Sequence, residues 1–200
     1  MSNISFNSWI NIDYNNIDIV ADYICTGKTP KEFKPEPELY KVLDKCNPLN
    51  ILDFGCGIGR NSFGMASYSA LWNITGYDNM KMISLTDNYK NIKYNNTIID
   101  NVKFESDWDI VKNMKFDCIY CSLVLQHIYE SDLNTYVLDF KRMTSKLVVA
   151  GRRFNDEKIA GNYKNTWRIL ENNGLTPSYS NRRYAIEGDP EEHMLCVYRL

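Results

Sequence analysis

Gly55, Gly57 and Gly59 stand at alternate positions in the stretch "NILDFGCGIGRNS", directly after an apolar run that contains Asp53. Glycine at this density lets a chain turn sharply and lets a ligand approach the main chain with no Cβ in the way. Backbone N–H groups are then expected to face that ligand, and a helix beginning near Arg60 would add its positive end. The spacing is G-x-G-x-G, not the G-x-G-x-x-G of a dinucleotide fingerprint; Arg60 stands where the last glycine of that fingerprint would fall, and no Gly-Lys-Ser/Thr follows to make a P-loop. Asp78 closes the next apolar run, 25 positions after Asp53, where a carboxylate can accept both hydroxyls of a ribose held over the loop. Asp107, in "SDWD", stands at the adjoining strand end, where its carboxylate or a neighbouring backbone group could meet an adenine edge; a solvated turn is the alternative.

Other reactive groups are sparse. His127, in "VLQHI", is the one candidate base, because the only other histidine is His193; a packed, structural histidine is the alternative. Arg152 and Arg153 follow the fifth strand and could clamp a carboxylate or phosphate of an acceptor, or form a solvated strand end. Arg182 and Arg183 read as sheet-surface charges. Phe6, Trp9 and Tyr14 could make a lid over the site or an arm packed on the core. The six cysteines are scattered and mostly inside apolar runs, so they read as reduced core thiols. Cys118 and Cys121 spell CxxC, yet "FDCIYCSLVL" reads as a buried strand, and no metal or redox use is expected.

These residues need a scaffold, and the chain supplies one by alternating strand-like runs with helical periodicity, the pattern of a doubly wound sheet. The expected strands are "NILDF", "WNITGYD", "NVKFE", "FDCIYCSLV" and "KLVVAG". A helix is expected from Arg60, one over "NMKMISLTDNYK", one capped by Ser131, and one over "YKNTWRILENNG" that ends at Gly174. The runs "SNRRYAI" and "HMLCVYRL" are joined by "EGDPEE", too short for a crossover helix, so they should pair antiparallel. The expectation is an α/β fold with five parallel strands and a C-terminal antiparallel hairpin. Residues 1–38 are expected to form an N-terminal arm leading into a helix at "PELYKVLDKC", and 39–200 the globular domain, one globular unit in all.

With 44% hydrophobic residues, 200 residues can bury one sizeable core. A net charge of −2 leaves no global basic field to concentrate the protein on a polyanion. The N-terminus has neither a basic start nor an unbroken apolar core, and no apolar run reaches the roughly 18 residues of a membrane span. A soluble, cytoplasmic chain is expected.

"ILDFGCGIGRNS", "ITGYDNMKMI", "SDWD" and "FDCIYCSLVLQHI" resemble, in order and spacing, the motifs of class I S-adenosylmethionine-dependent methyltransferases, which share a Rossmann-like, seven-stranded sheet. The resemblance implies that Gly55, Gly57 and Gly59 cradle the methionine part of the cofactor while Asp53 holds the loop. It implies that Asp78 binds the ribose hydroxyls, that Asn79 and Met80 flank the adenine, and that Asp107 and Trp108 face its other side. Ser122 and Leu123 would line the methyl donor. The glycine-containing turn usual before the fifth strand is replaced by "RMTSKLVV", and no insertion follows that strand, so substrate contacts fall to the arm and short loops: Trp9, Tyr14, Arg152 and Arg153.

The implied reaction is in-line methyl transfer to a small-molecule or peptide-borne acceptor, in which orientation and desolvation are most of the protein's work. The Asp/Asn-Pro-Pro-aromatic motif of base-amino methylation is replaced by "CSLV", the Pro-Cys pair of cytosine carbon methylation is missing, and nucleic acid is not expected as a partner. A nicotinamide oxidoreductase is disfavoured by the glycine spacing. A methyltransferase fold kept as a binding partner remains the alternative of a different class.

Overall fold

The computed structural model describes residues 11–25, 27–34, 37–95, 97–152, 166–184 and 193–200. Seven strands form one sheet: β1 (Asn50–Phe54), β2 (Asn73–Tyr77), β3 (Val102–Glu105), β4 (Cys118–Ser122), β5 (Lys146–Arg152), β6 (Thr176–Tyr184) and β7 (His193–Arg199). Their spatial order is β3-β2-β1-β4-β5-β7-β6. β1 to β5 are parallel, while β7 runs antiparallel between β5 and β6. The expected fold class is what the structure has.

Strand alternation divides the core between the two sheet faces. Ile51, Cys118, Tyr120 and Val148 enter one buried cluster, whereas Leu52, Phe54, Ile119, Cys121 and Leu147 enter the other. The two thiols of the CxxC sequence therefore lie on opposite faces, and both are free and buried. No group of three or more His, Cys, Asp or Glu residues among the described residues is arranged to hold a metal ion. No helix of the described residues is long and apolar enough to cross a membrane.

Before the sheet come α1 (Ile17–Ile24), a single 3-10 turn at Pro30–Glu32, and α2 (Pro37–Cys46). The arm thus contains a helix that the periodicity reading did not define. Asn16 starts it by accepting from the N–H groups of Asp18 (3.0 Å) and Ile19 (3.5 Å), and Val20 and Ala21 are buried. α3 (Arg60–Tyr68) follows the glycine loop. Instead of one helix over residues 79–90 there are two, α4 (Met80–Ile83) and α5 (Thr86–Tyr94). Between them the Ser84 and Thr86 hydroxyls bond back to the carbonyls of Lys81 and Ile83, which offers the backbone an alternative to a continuous helix.

α6 (Trp108–Val111) is a single turn capped by Asp107. α7 (Glu130–Met143) begins one residue before the expected cap: Tyr129 is the N-cap, and the Ser131 hydroxyl bonds Asp132 instead. Its apolar stripe of Leu133, Val137, Phe140 and Met143 is buried as read. α8 (Thr166–Asn172) ends as expected at Gly174, which takes φ +78° while the Leu175 N–H returns to the Leu170 carbonyl.

Because β1 is flanked by β2 on one side and β4 on the other, strand order reverses there and leaves a crevice beyond the carboxyl ends of β1 and β4. The glycine loop leaves β1 at that point.

Candidate functional site

All three loop glycines have positive φ: +74° at Gly55, +58° at Gly57 and +89° at Gly59. Their N–H groups, however, face protein acceptors. Gly55 and Cys56 both donate to the Tyr77 carbonyl (2.8 and 3.0 Å), Gly59 donates to the Cys56 carbonyl (3.0 Å), and Gly57 donates to an Asp78 carboxylate oxygen (2.8 Å). This corrects the expectation of a ligand-facing N–H array: the loop knots itself to the end of β2. A loop whose amides are committed in this way makes a poor cradle for pyrophosphate, which needs free N–H donors.

The three glycines are also needed for different reasons. A Cβ on Gly55 would lie 2.2, 2.6 and 2.9 Å from side-chain carbons of Val124, and one on Gly59 would lie 2.9 Å from the rings of both Phe104 and Phe63. Only at Gly57 is there room, the one neighbour being the Ile24 Cδ1 at 3.6 Å. Gly57 is therefore the glycine of the three whose missing side chain leaves space above the main chain for something other than the protein's own packing.

Two carboxylates brace this loop. Asp53, 2% exposed, accepts from the Ser62 hydroxyl at 2.5 Å, which ties β1 to the first turn of α3. Asp78, just past β2, accepts from Gly57 N with one oxygen and from the backbone and side-chain nitrogens of Asn79 with the other (2.7 and 2.9 Å). Two carboxylate oxygens offer about four lone-pair positions, so three protein donors leave acceptor capacity for a hydroxyl. Burial lifts the Asp78 carboxyl above its ordinary value, and the bonds from Gly57 and Asn79 oppose that lift. The neighbouring Cys56 thiol is pushed far up, first by burial and then by the charges of Asp78 and Asp53, so no thiolate stands in the loop.

Across the crevice, Asn79 caps α4 with its side chain and exposed Met80 reaches over to the Ser106 hydroxyl (3.7 Å to Sδ). Glu105 accepts from the N–H groups of Ser106 (2.8 Å) and Asp107 (3.0 Å), which lower its pKa and hold this turn in shape. Exposed Asp107 uses one oxygen to cap Asp109 N (2.8 Å). Trp108 turns the other way: its indole N–H donates to buried Asp139 (3.0 Å), and its ring packs edge-on against Phe54 and Tyr136 and tilted against Tyr77. The structure thus gives the Trp108 side chain to the core beneath α7, and leaves Asp107, Met80 and the Ser106–Trp108 backbone at the rim.

At the end of β4, half-buried Ser122 leads into Leu123, a leucine at φ +56° whose N–H bonds the Ala150 carbonyl (2.8 Å). Left-handed conformation in leucine costs about 1–2 kcal/mol, and the turn it makes seats Val124 on Gly55. His127 ends the 3-10 turn Leu125–His127; its N–H bonds the Val124 carbonyl (2.8 Å) and its Nδ1 is buried. On the arm, the Tyr14 ring lies under the Lys81 ammonium, 5.3 Å from its centroid. Arg152 lies at the last pair of β5 with β7, but its side chain is outside the described residues, as are Phe6, Trp9 and Arg153 and the side chains of Arg182 and Arg183.

The structure therefore gathers Asp53, Gly55, Gly57, Gly59, Asp78, Asn79, Met80 and Asp107 at the carboxyl ends of β1, β2 and β3, with Asp53 buried beneath the loop, and sets Ser122 and Leu123 at the end of neighbouring β4. It also adds two residues that sequence reading missed, Val124 and Ile24, because each meets its glycine only through tertiary packing.

A family model described as a methyltransferase domain matches residues 51–147, the span from β1 to the start of β5. No curated protein sequence matches the chain. Among solved structures, the magnesium protoporphyrin IX methyltransferase of Synechocystis PCC 6803 with bound SAM is similar at 19% identity and TM-score 0.60, covering 81% of this chain and 76% of that one. The methyltransferase domain of bacterial CtHen1 aligns at 16% identity and TM-score 0.62, over 82% of this chain and 95% of that one. A chain solved in work on converting a disulfide bond into a thioacetal group during echinomycin biosynthesis aligns at 16% identity and TM-score 0.61, over 92% and 91%. The matched domain and the order of the seven strands together bear out the resemblance to class I S-adenosylmethionine-dependent methyltransferases that the motifs carried.

Proposed function

We propose that this chain is a methyltransferase that takes its methyl group from S-adenosylmethionine and passes it in line to a small-molecule or peptide-borne acceptor. The observation that carries this reading is the glycine loop with its amides turned inward. It suits a ligand that brings no phosphate to the loop, and Gly57 leaves the space that a Cβ would otherwise fill. The residues fit such a cofactor: Gly57 under the methionine portion, Asp78 at the ribose hydroxyls, and Asn79, Met80 and Asp107 around the adenine, with Ser122 and Leu123 toward the methyl group.

When bound, S-adenosylmethionine supplies a methyl carbon already activated by the sulfonium charge. The chain's own residues then need only orient the partners and exclude water. Asp53 and Ser62 fix the loop's start, Asp78 fixes its middle, and Val124 on Gly55 fixes the β4 turn against it. His127, at the end of that turn, is proposed as the base that would take a proton from the acceptor. The compartment in which the protein works is proposed to be the cytoplasm, from its composition.

The test is calorimetric titration with S-adenosylhomocysteine and, separately, with NAD, followed by incubation of the protein and isotopically labelled S-adenosylmethionine with an extract of its host. Binding of the first nucleoside alone and mass-spectrometric detection of products heavier by one labelled CH2 unit are expected. Binding of NAD, or no binding of S-adenosylhomocysteine, overturns the proposal; binding without any methylated product would instead favour a fold retained as a binding partner.

A further inference from the structure

The arm and the crevice meet at two points. At one, Ile24, the last residue of α1, places its Cδ1 3.6 Å from where a Cβ of Gly57 would be. At the other, Tyr14 sits beneath Lys81, the second residue of α4, on the Asp78 side of the crevice. Asp78 also acts on the Tyr14 phenol directly: after burial, its negative charge is the next cause that raises the phenol's pKa.

Between these points the arm is built, not draped. Asp13 accepts from Asn15 N (3.0 Å) and closes the turn that precedes α1, and Asp22 accepts from Gly27 N (2.7 Å) just beyond it. Val20 and Ala21 are fully buried, and Ile12, Tyr14, Ile17 and Ile24 pack on the same core cluster that holds Ile58 of the glycine loop. Moving Tyr14 or Ile24 therefore means moving residues 12–24 together.

We infer that residues 12–24 are a clasp on the cofactor, holding it at the Gly57 end with Ile24 and at the Asp78 end with Tyr14, so that the arm sets cofactor residence time instead of acceptor choice. The inference rests on the methyltransferase reading above, but it assigns the arm's aromatic contact to the cofactor side of the crevice, whereas the sequence placed Tyr14 with the acceptor. One contact point lies on the glycine loop and the other on α4, the helix that follows Asp78, and neither lies on the β4 or β5 ends where an acceptor would enter.

The clasp is tested by stopped-flow displacement of S-adenosylhomocysteine from the full chain and from Ile24→Ala, Tyr14→Ala and Tyr14→Phe. Truncating a contact that closes over a bound ligand acts mainly on dissociation, so each alanine variant is expected to release the nucleoside about tenfold faster with little change in association. Tyr14→Phe keeps the ring under Lys81 and is expected to stay within about threefold of the parent. Hydrogen exchange gives a second readout: amides of residues 17–24 should gain protection when S-adenosylhomocysteine binds. If Tyr14→Ala does not fold, Ile24→Val and the exchange measurement carry the test.

Parent-like release from Ile24→Ala together with unchanged exchange in residues 17–24 overturns the clasp while leaving the cofactor reading standing. A parent protein that does not bind S-adenosylhomocysteine at all overturns both.

Discussion

Replacing Gly55 by alanine separates two reasons for a glycine that the sequence cannot tell apart. At Gly55 and Gly57 alike, alanine would have to take a left-handed backbone, at φ +74° and +58° respectively, which costs about 1–2 kcal/mol. Only at Gly55 does the new methyl also collide, with three Val124 carbons at 2.2–2.9 Å. Overpacking of this kind adds about 1–3 kcal/mol. Gly55→Ala should therefore lose about 2–5 kcal/mol, against about 1–2 for Gly57→Ala. For a chain of this length those losses correspond to falls in Tm on the order of 10 °C and of about 4 °C.

Calorimetric unfolding measures both. Val124→Ala removes the two γ carbons at 2.2 and 2.6 Å and leaves only Cβ at 2.9 Å, so most of the collision should be relieved in the double variant, and the pair should show an interaction energy of about 1–3 kcal/mol in a double-mutant cycle. S-adenosylhomocysteine titration should give the reverse ranking, with Gly57→Ala losing affinity out of proportion to its stability. Equal losses at the two glycines, or additivity of Gly55→Ala with Val124→Ala, would refute the reasoning that Gly55 is glycine because of Val124.

Burial raises the Asp78 carboxyl, so S-adenosylhomocysteine affinity should weaken on acidification, beginning above the ordinary aspartate range. Because the charged form is the disfavoured one in the fold, neutralisation favours the folded apoprotein at low pH and this contribution disappears as pH rises through the native pKa; titrations and unfolding across pH should therefore move in opposite directions, and an acid limb at the ordinary aspartate value would contradict this. Trp108→Phe removes the donor to buried Asp139, leaving it the ion pair with Arg142, and should cost about 1–3 kcal/mol in urea unfolding with S-adenosylhomocysteine affinity kept within about threefold; a selective loss of affinity would return the indole to the adenine site. Cys46 is held below the ordinary thiol range, first by its neighbour Cys118, so the pH midpoint of its alkylation by iodoacetamide should rise toward that range in Cys118→Ala; an unmoved midpoint would reject Cys118 as the cause. If His127 removes an acceptor proton, His127→Asn should lower kcat about 100-fold or more and flatten the acid limb of its pH profile, whereas parent-like turnover at every pH assigns the ring to packing.

What the sequence disclosed was what depends on local pattern. Apolar runs marked all five parallel strands, the short "EGDPEE" connection forced an antiparallel hairpin, and Gly174 marked a helix end because a left-handed cap is a local demand. α1 had a local signal too: Asn16 before Ile-Asp-Ile-Val-Ala is a capping residue ahead of an apolar face. The break between α4 and α5 turns on which carbonyls Ser84 and Thr86 choose, and helical periodicity runs straight through it.

The site divides in the same way. Asp53, the glycines and Asp78 were legible from type and spacing, since β1 and β2 are short and adjacent. The use made of them was not. That the loop amides turn to Tyr77 and Asp78, that Val124 occupies the face of Gly55, and that Trp108 reaches Asp139 are contacts between separate segments, and no window of sequence contains both partners.

The placing of β7 between β5 and β6 bears on how the chain is made. Among the described residues β6 has one sheet neighbour, β7, and β7 is synthesised after it. Residues 176–184 can find no place in the sheet until residues 193–199 have emerged, and β5 keeps an open edge until the same moment. Translation-arrested chains that stop before residue 193 should therefore be cut by protease within 176–184 and stick to one another through β5, while the crevice beside β1 and β4 is already complete.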